Sequence, residues 1–107
     1  IDILCLFPEF FTGPLDVSMI QRAKDKGLLT IGVRDIRQFS TERFRKVDDR
    51  PYGGGPGMVM MAEPVASAIR AYKRPNTKTI YLSPQGTPLS AEKCRELAKQ
   101  EHLILLS

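Results

Sequence analysis

Ile1-Asp2-Ile3-Leu4-Cys5-Leu6-Phe7 opens the 107-residue chain, and a single acidic residue interrupts an otherwise apolar run. A strand with one wet face alternates apolar and polar residues, whereas a strand covered on both faces reads as nearly continuous apolar sequence. The run therefore predicts a buried strand of a parallel sheet, ended by Pro8. Residues 28–33, 79–82 and 103–106 read as further strands. Between them apolar residues recur at helical spacing. Leu15, Met19 and Ala23 follow Pro14, with Gly27 as the stop. Val65, Ala68, Ile69 and Tyr72 form one stripe behind Pro64. Ser90 suits the N-cap of a third helix, whose Cys94, Leu97 and Ala98 are expected to face inward. Strand and helix alternate, which predicts an α/β fold: a mostly parallel sheet flanked by helices, with right-handed crossovers.

Composition places this sheet in one ordinary globular domain. Hydrophobic residues make up 42% and charged residues 26% of the chain. The net charge of +4 is compatible with an anionic partner such as RNA but does not single one out. No apolar run approaches the roughly 20 residues of a membrane helix, and the chain does not open on a signal-peptide pattern. No membrane association and a cytoplasmic location are expected, with Cys5 and Cys94 as reduced, small core residues. One histidine, His102, leaves no metal-binding cluster, and with no obvious acidic partner it reads as a surface residue. Phe7, Pro8, Glu9, Phe10 and Phe11 read as packing mass. Residue 107 follows directly on the last strand. Ligands of open α/β sheets bind beyond the carboxyl ends of strands, so the sequence is expected to be the first part of a domain that continues.

Two stretches carry candidate chemistry. Residues 34–57 exceed the roughly 12–15 residues of an incidental connection. They end in Asp48-Asp49-Arg50-Pro51-Tyr52-Gly53-Gly54-Gly55-Pro56-Gly57, which Met58 follows. A phosphate-cradling loop would close on Gly-Lys-Ser/Thr, but Met58 follows Gly57. A dinucleotide fingerprint would follow a strand directly, and these glycines follow a polar segment. A surface turn and a loop that reads an unstacked base remain. Arg34, Arg37, Arg43, Arg45 and Lys46 suit either a phosphate track or a solvated face. The second stretch is Tyr81-Leu82-Ser83-Pro84-Gln85-Gly86, where a strand passes into a loop. Pro84 holds Ser83 extended, and Gly86 lets the chain turn back. Such a turn leaves backbone groups free to read a ligand edge; an ordinary strand-to-helix connection is the plain alternative.

Phe7-Pro8-Glu9, the run from Val47 through Met58, and Ile80-Tyr81-Leu82-Ser83-Pro84-Gln85-Gly86 together closely resemble the bacterial tRNA (guanine-N1)-methyltransferases, the TrmD family, in order and spacing. The resemblance covers all 107 residues but only the first part of a family member. It implies a SPOUT-type, α/β-knot domain, cut before the segment that threads the knot. It implies methyl transfer from S-adenosylmethionine to N1 of the guanosine 3′ of the anticodon, tRNA position 37, by a homodimer, and it raises magnesium as a requirement for activity. Tyr81, Leu82, Ser83, Pro84, Gln85 and Gly86 would hold the cofactor's adenosine part. Asp48, Arg50, Pro56 and Gly57 would contact the tRNA, Asp48 at a guanine edge and Arg50 at the loop or a phosphate. The family's general base lies beyond residue 107, so no catalytic residue is assigned within the chain, which is expected to be inactive alone. A nucleotide- or phosphate-binding α/β enzyme and a non-catalytic RNA-binding or dimerisation module are the alternatives.

Overall fold

The structure, a computed structural model, describes residues 1–40, 48–49, 59–60 and 62–107. These residues form β1 (Asp2–Cys5), α1 (Ser18–Asp25), β2 (Gly32–Asp35), β3 (Asp48–Asp49), β4 (Val59–Met60), α2 (Ala62–Tyr72), β5 (Thr77–Tyr81), α3 (Ala91–Ala98) and β6 (His102–Leu106). Short 3-10 turns lie at Pro8–Phe11, Pro14–Asp16 and Ile36–Phe39. Four strands pair in parallel in the order β2-β1-β6-β5. The pair β3 and β4 forms a separate antiparallel ladder, Asp48 opposite Met60 and Asp49 opposite Val59.

Register decides which side chains meet. Leu4 lies beside Arg34 on one neighbour and Leu106 on the other, and alternate residues share a face. One face thus carries Leu4, Ile104 and Leu106. The α2 stripe and the Ile36–Phe39 turn cover it, and Leu4, Ile36, Ala68 and Ile104 are fully buried there. Val65, Ile69 and Tyr72 pack around them, as the helical spacing predicts. The other face carries Ile3 and Cys5, both buried. It also carries Lys78, which reaches Glu96 of α3 at 3.8 Å. Cover on both faces explains why β1 is apolar after Asp2: all four of its residues are buried.

The helical segments differ from the sequence expectation in instructive ways. Instead of one helix from Pro14, a 3-10 turn and an extended Val17 precede α1. Gly27 does end α1, at φ 72°: its N–H donates to the Lys24 carbonyl, and the Leu28 N–H donates to the Ala23 carbonyl at 2.9 Å. This is the Schellman pattern, which favours glycine at its left-handed position. It uses Leu28 to close the helix, so Leu28 is exposed and β2 begins at Gly32 rather than at residue 28. β5 begins two residues earlier than expected because Thr77 already pairs with His102. Ser90 caps α3 as predicted, accepting from the Lys93 N–H at 3.1 Å. The inward placement of Cys94 and Ala98 is not found: both are exposed, and α3 buries no residue. The helix is tethered by Glu96 to Lys78 of β5, which among the described residues is an outer strand of the sheet. The packing role expected of Phe7 and Phe10 is also not found. Phe7 lies exposed under the Arg37 guanidinium at 4.8 Å, and Phe10 is exposed and meets Phe11 edge-on.

The cysteines thus split, Cys5 buried and Cys94 exposed. Burial pushes the Cys5 thiol above its ordinary pKa as well as shielding it. A thiol reagent is expected to modify Cys94 quickly in the folded 107-residue chain and Cys5 only on denaturation. Equal labelling rates, read by mass spectrometry, would contradict this packing.

His102 is not a surface residue. It is buried, with Nε2 2.7 Å from Asp2 Oδ2 and Nδ1 2.6 Å from Thr77 Oγ1. Arg34 Nε donates to Asp2 Oδ1 at 3.0 Å. Burial by itself raises the Asp2 carboxyl, but the hydrogen bonds and charges of His102 and Arg34 outweigh it and hold the group below the ordinary aspartate value. A depressed carboxyl contributes stability that is present above the unfolded-state value, about 3.9, and lost as pH falls through the folded value. Asp2→Asn is therefore expected to flatten the acid limb of the stability profile below about pH 4. Urea midpoints measured across that range check this, and an unchanged acid limb would contradict it.

Candidate functional site

Parallel strands place all four carboxyl ends at one edge of the sheet. β2 and β5 are its two outer strands, three strand spacings or about 14 Å apart. The chain leaves β2 at this edge through the Ile36–Phe39 turn, whose first N–H groups are capped by Asp35: Oδ1 accepts from the Arg37 N–H at 2.9 Å. Further along, the β3–β4 ladder closes the base of the glycine-rich stretch. Asp48 pairs through its backbone in that ladder, while Arg50, Pro56 and Gly57 lie outside the described residues. So do Arg43, Arg45 and Lys46 of the basic series. Its two described members have intramolecular partners: Arg34 binds Asp2 and lies 4.7 Å over the Tyr72 ring, and Arg37 lies over Phe7.

The second stretch is described in full. Tyr81 ends β5 in register with Leu106. The Leu82 N–H donates to the Leu106 carbonyl at 3.1 Å and extends the ladder by one bond. One strand over, the Ser107 N–H donates to the Leu4 carbonyl at 3.0 Å, so β1 and β6 also stay paired to this edge. Ser83 then starts a tight turn. Its carbonyl accepts the Gly86 N–H at 3.1 Å, and its Oγ accepts the Gln85 N–H at 3.2 Å. Pro84 occupies the second position, where its fixed φ suits a turn. A Cβ at Gly86 would sit 3.3 Å from the Ser83 carbonyl, closer than ordinary contact. The glycine thus serves the close approach of two backbone segments.

The turn projects outward. Pro84, Gln85 and Gly86 are exposed, and so are Tyr81, Leu82 and Leu89, which flank them in sequence. Exposed peptide groups bordered by apolar side chains suit a flat heterocycle that needs both stacking and edge hydrogen bonds. A charged cavity lies elsewhere: Asp2, Arg34, Arg74, Glu101 and His102 line it at the amino ends of the strands. Among the described residues no group of three His, Cys, Asp or Glu side chains is placed to hold a metal ion. No helix described is long and apolar enough to cross a membrane.

The structure thus brings residues 81–86 together as one turn, and it places the base of the 48–57 stretch through β3 and β4. Sequence reasoning missed the ladder, because two-residue strands carry no periodicity, and missed the Asp2–His102 pair, which joins residues 100 apart.

Comparison with known proteins identifies the family. The family model for tRNA (Guanine-1)-methyltransferase TrmD matches residues 1–107. A tRNA (guanine-N(1)-)-methyltransferase of Protochlamydia amoebophila is 62% identical over 106 residues, covering 99% of this chain and 48% of that protein. Proteins of the same name from Carboxydothermus hydrogenoformans and Chlamydia muridarum are 50% and 55% identical, with 42% and 30% of their lengths covered. The chain spans less than half the length of these curated relatives. By the family model across its whole length, the chain belongs to the TrmD family of tRNA (guanine-1)-methyltransferases.

Proposed function

We propose that the protein of which this chain is part transfers a methyl group from S-adenosylmethionine to N1 of the guanosine 3′ of the anticodon, position 37 of tRNA. The observation that carries the reading is the Ser83–Gly86 turn at the carboxyl edge of a parallel sheet, in a chain of this family. Residues 1–107 are then the first part of the cofactor-binding domain, in which later sequence completes an α/β knot. Bound S-adenosylmethionine would supply the electrophilic methyl group. Backbone groups of Tyr81, Leu82, Ser83, Pro84, Gln85 and Gly86 would hold its adenosine part. Asp48, Arg50, Pro56 and Gly57 would meet the tRNA, with Asp48 at a guanine edge.

N1 of guanine carries a proton that must leave as the methyl group arrives, so a general base is required. Asp2 and His102, the buried carboxylate–imidazole pair, sit at the amino ends of the strands and cannot serve at the other edge. By the family resemblance, the base would lie in sequence beyond residue 107. The same reading includes a homodimer, a cytoplasmic location and magnesium as a requirement for activity.

Methyl transfer by the full-length protein to a tRNA transcript with guanosine at position 37, and to its adenosine counterpart, tests this. Transfer to the first alone is the expected result. No transfer to either, with S-adenosylmethionine and magnesium supplied, would overturn the reading.

A further inference from the structure

The polar groups at the amino ends of β1, β5 and β6 have no part in the proposed site. They nevertheless form a continuous chain of contacts. Thr77 Oγ1 accepts the Arg74 N–H at 2.7 Å, so its own proton is free to donate to His102 Nδ1, 2.6 Å away. His102 Nε2–H then donates to Asp2 Oδ2 at 2.7 Å, and Asp2 Oδ1 accepts from Arg34 Nε at 3.0 Å. The chain crosses all four parallel strands, from β5 through β6 and β1 to β2. Asp2 is 5% and His102 4% exposed, and no buried side-chain nitrogen or oxygen among the described residues lacks a partner.

The rest of these strands says little about register. Ile3, Leu4 and Cys5 pair against Leu105, Leu106 and their neighbours. A slip by two residues keeps every side chain on its face and exchanges one apolar group for another, so hydrophobic pattern discriminates weakly. The same slip would carry His102 about 6.6 Å along its strand, leaving the buried imidazole without either ring partner and Asp2 Oδ2 without its imidazole donor, which folded proteins avoid. A buried polar contact can fix register in this way even where it adds little stability.

We propose that Asp2, His102 and Thr77 form a register clasp, and that Asp2 and His102 are positioning residues for the turn at the opposite ends of the same strands. The turn hangs on the Leu82-to-Leu106 bond, and the neighbouring edge on the Ser107-to-Leu4 bond; both exist only in this register. The positioning role rests on the reading of residues 81–86 as the cofactor turn.

The test uses the full-length protein with His102→Leu, His102→Gln and the milder Thr77→Val. Leucine removes both ring contacts, whereas glutamine keeps one donor and one acceptor. Amide hydrogen exchange and calorimetric titration with S-adenosylmethionine are the readouts. In His102→Leu, or in Thr77→Val if the former does not fold, exchange at Leu82 and Ser107 is expected to rise about tenfold more than in α2. Cofactor binding should weaken about tenfold, and His102→Gln should restore most of both. A uniform rise across the sheet and α2, or no rescue by glutamine, overturns the clasp. Faster Leu82 exchange with unchanged cofactor affinity overturns the positioning role. If the unsubstituted protein binds no S-adenosylmethionine, the proposed function fails instead, and the exchange arm still decides the clasp.

Discussion

Leu4→Ala is expected to destabilise the 107-residue chain by about 3–5 kcal/mol. Leu4 lies in the central strand β1, flanked by β2 and β6, and is fully buried against Ile36, Ala68 and Ile104. These neighbours come from a strand, a turn and a helix, so no single element can move in to fill the space. The upper part of the measured range for such substitutions therefore applies. Domains of this size have only about 5–15 kcal/mol in total, so the variant should sit near the limit of folding. Equilibrium urea unfolding checks this, with Leu28→Ala as the reference. Leu28 is 77% exposed, and its truncation should change stability by no more than about 0.5 kcal/mol. A Leu4→Ala loss as small as that of Leu28→Ala would mean that the sheet face is not the closed core described.

The architecture was legible where burial leaves a direct trace in composition. After Asp2 and His102 at their starts, β1 and β6 are apolar to their ends because both faces of the sheet are covered there, and the α2 stripe at Val65, Ala68, Ile69 and Tyr72 names the residues that cover one of them. Gly27 and Ser90 mark helix ends because the backbone conformation or the cap demands those residue types. The misreadings come from competition between local and tertiary terms. Leu15, Met19 and Ala23 satisfy a single helix, and only the extended Val17 shows that the chain breaks there. Cys94 fits an inward position on α3, but a helix beside an edge strand has too little sheet beneath it to bury that face. His102 was misread because its partner Asp2 is 100 residues away. The one available signal was that each is a polar residue at the start of an otherwise apolar strand.

The candidate site divides in the same way. The 81–86 turn is a local object: Pro84 sets its second position, Gly86 allows its closure, and both are readable without any long-range knowledge. Its place at the carboxyl edge follows from the parallel sheet, which the apolar strands predicted. The partner stretch is less so. Its residue types suggested a ligand loop, but the β3–β4 ladder that closes its base rests on two pairings, too few to shape a sequence pattern. Family membership adds what neither the sequence pattern nor the fold alone supplies, the substrate to propose.

Gly86→Val is expected to lower methyl transfer by the full-length protein about 100-fold, since misplacing a bound group by about 1 Å costs that much. Even the Cβ of alanine would lie 3.3 Å from the Ser83 carbonyl, and valine adds two methyl groups to the same crowded spot. The backbone must open, and the bond from the Gly86 N–H to Ser83 must lengthen or break. That displaces the peptide groups of Pro84 and Gln85, which the proposal assigns to the adenosine part of the cofactor. Gly86→Ala should fall between wild type and valine, because Gly86 has no positive φ to defend and a shift of a few tenths of an ångström relieves its single close contact. Stability should change by less than about 1 kcal/mol in both variants, because the turn is exposed. S-adenosylmethionine affinity should fall in the same order as activity, since the damage lies at the cofactor rather than at the tRNA. Calorimetry and single-turnover methylation on the same preparations separate the outcomes. Activity lost with affinity intact would move residues 81–86 from cofactor binding to the chemistry itself, and wild-type values in both would remove the turn from the site.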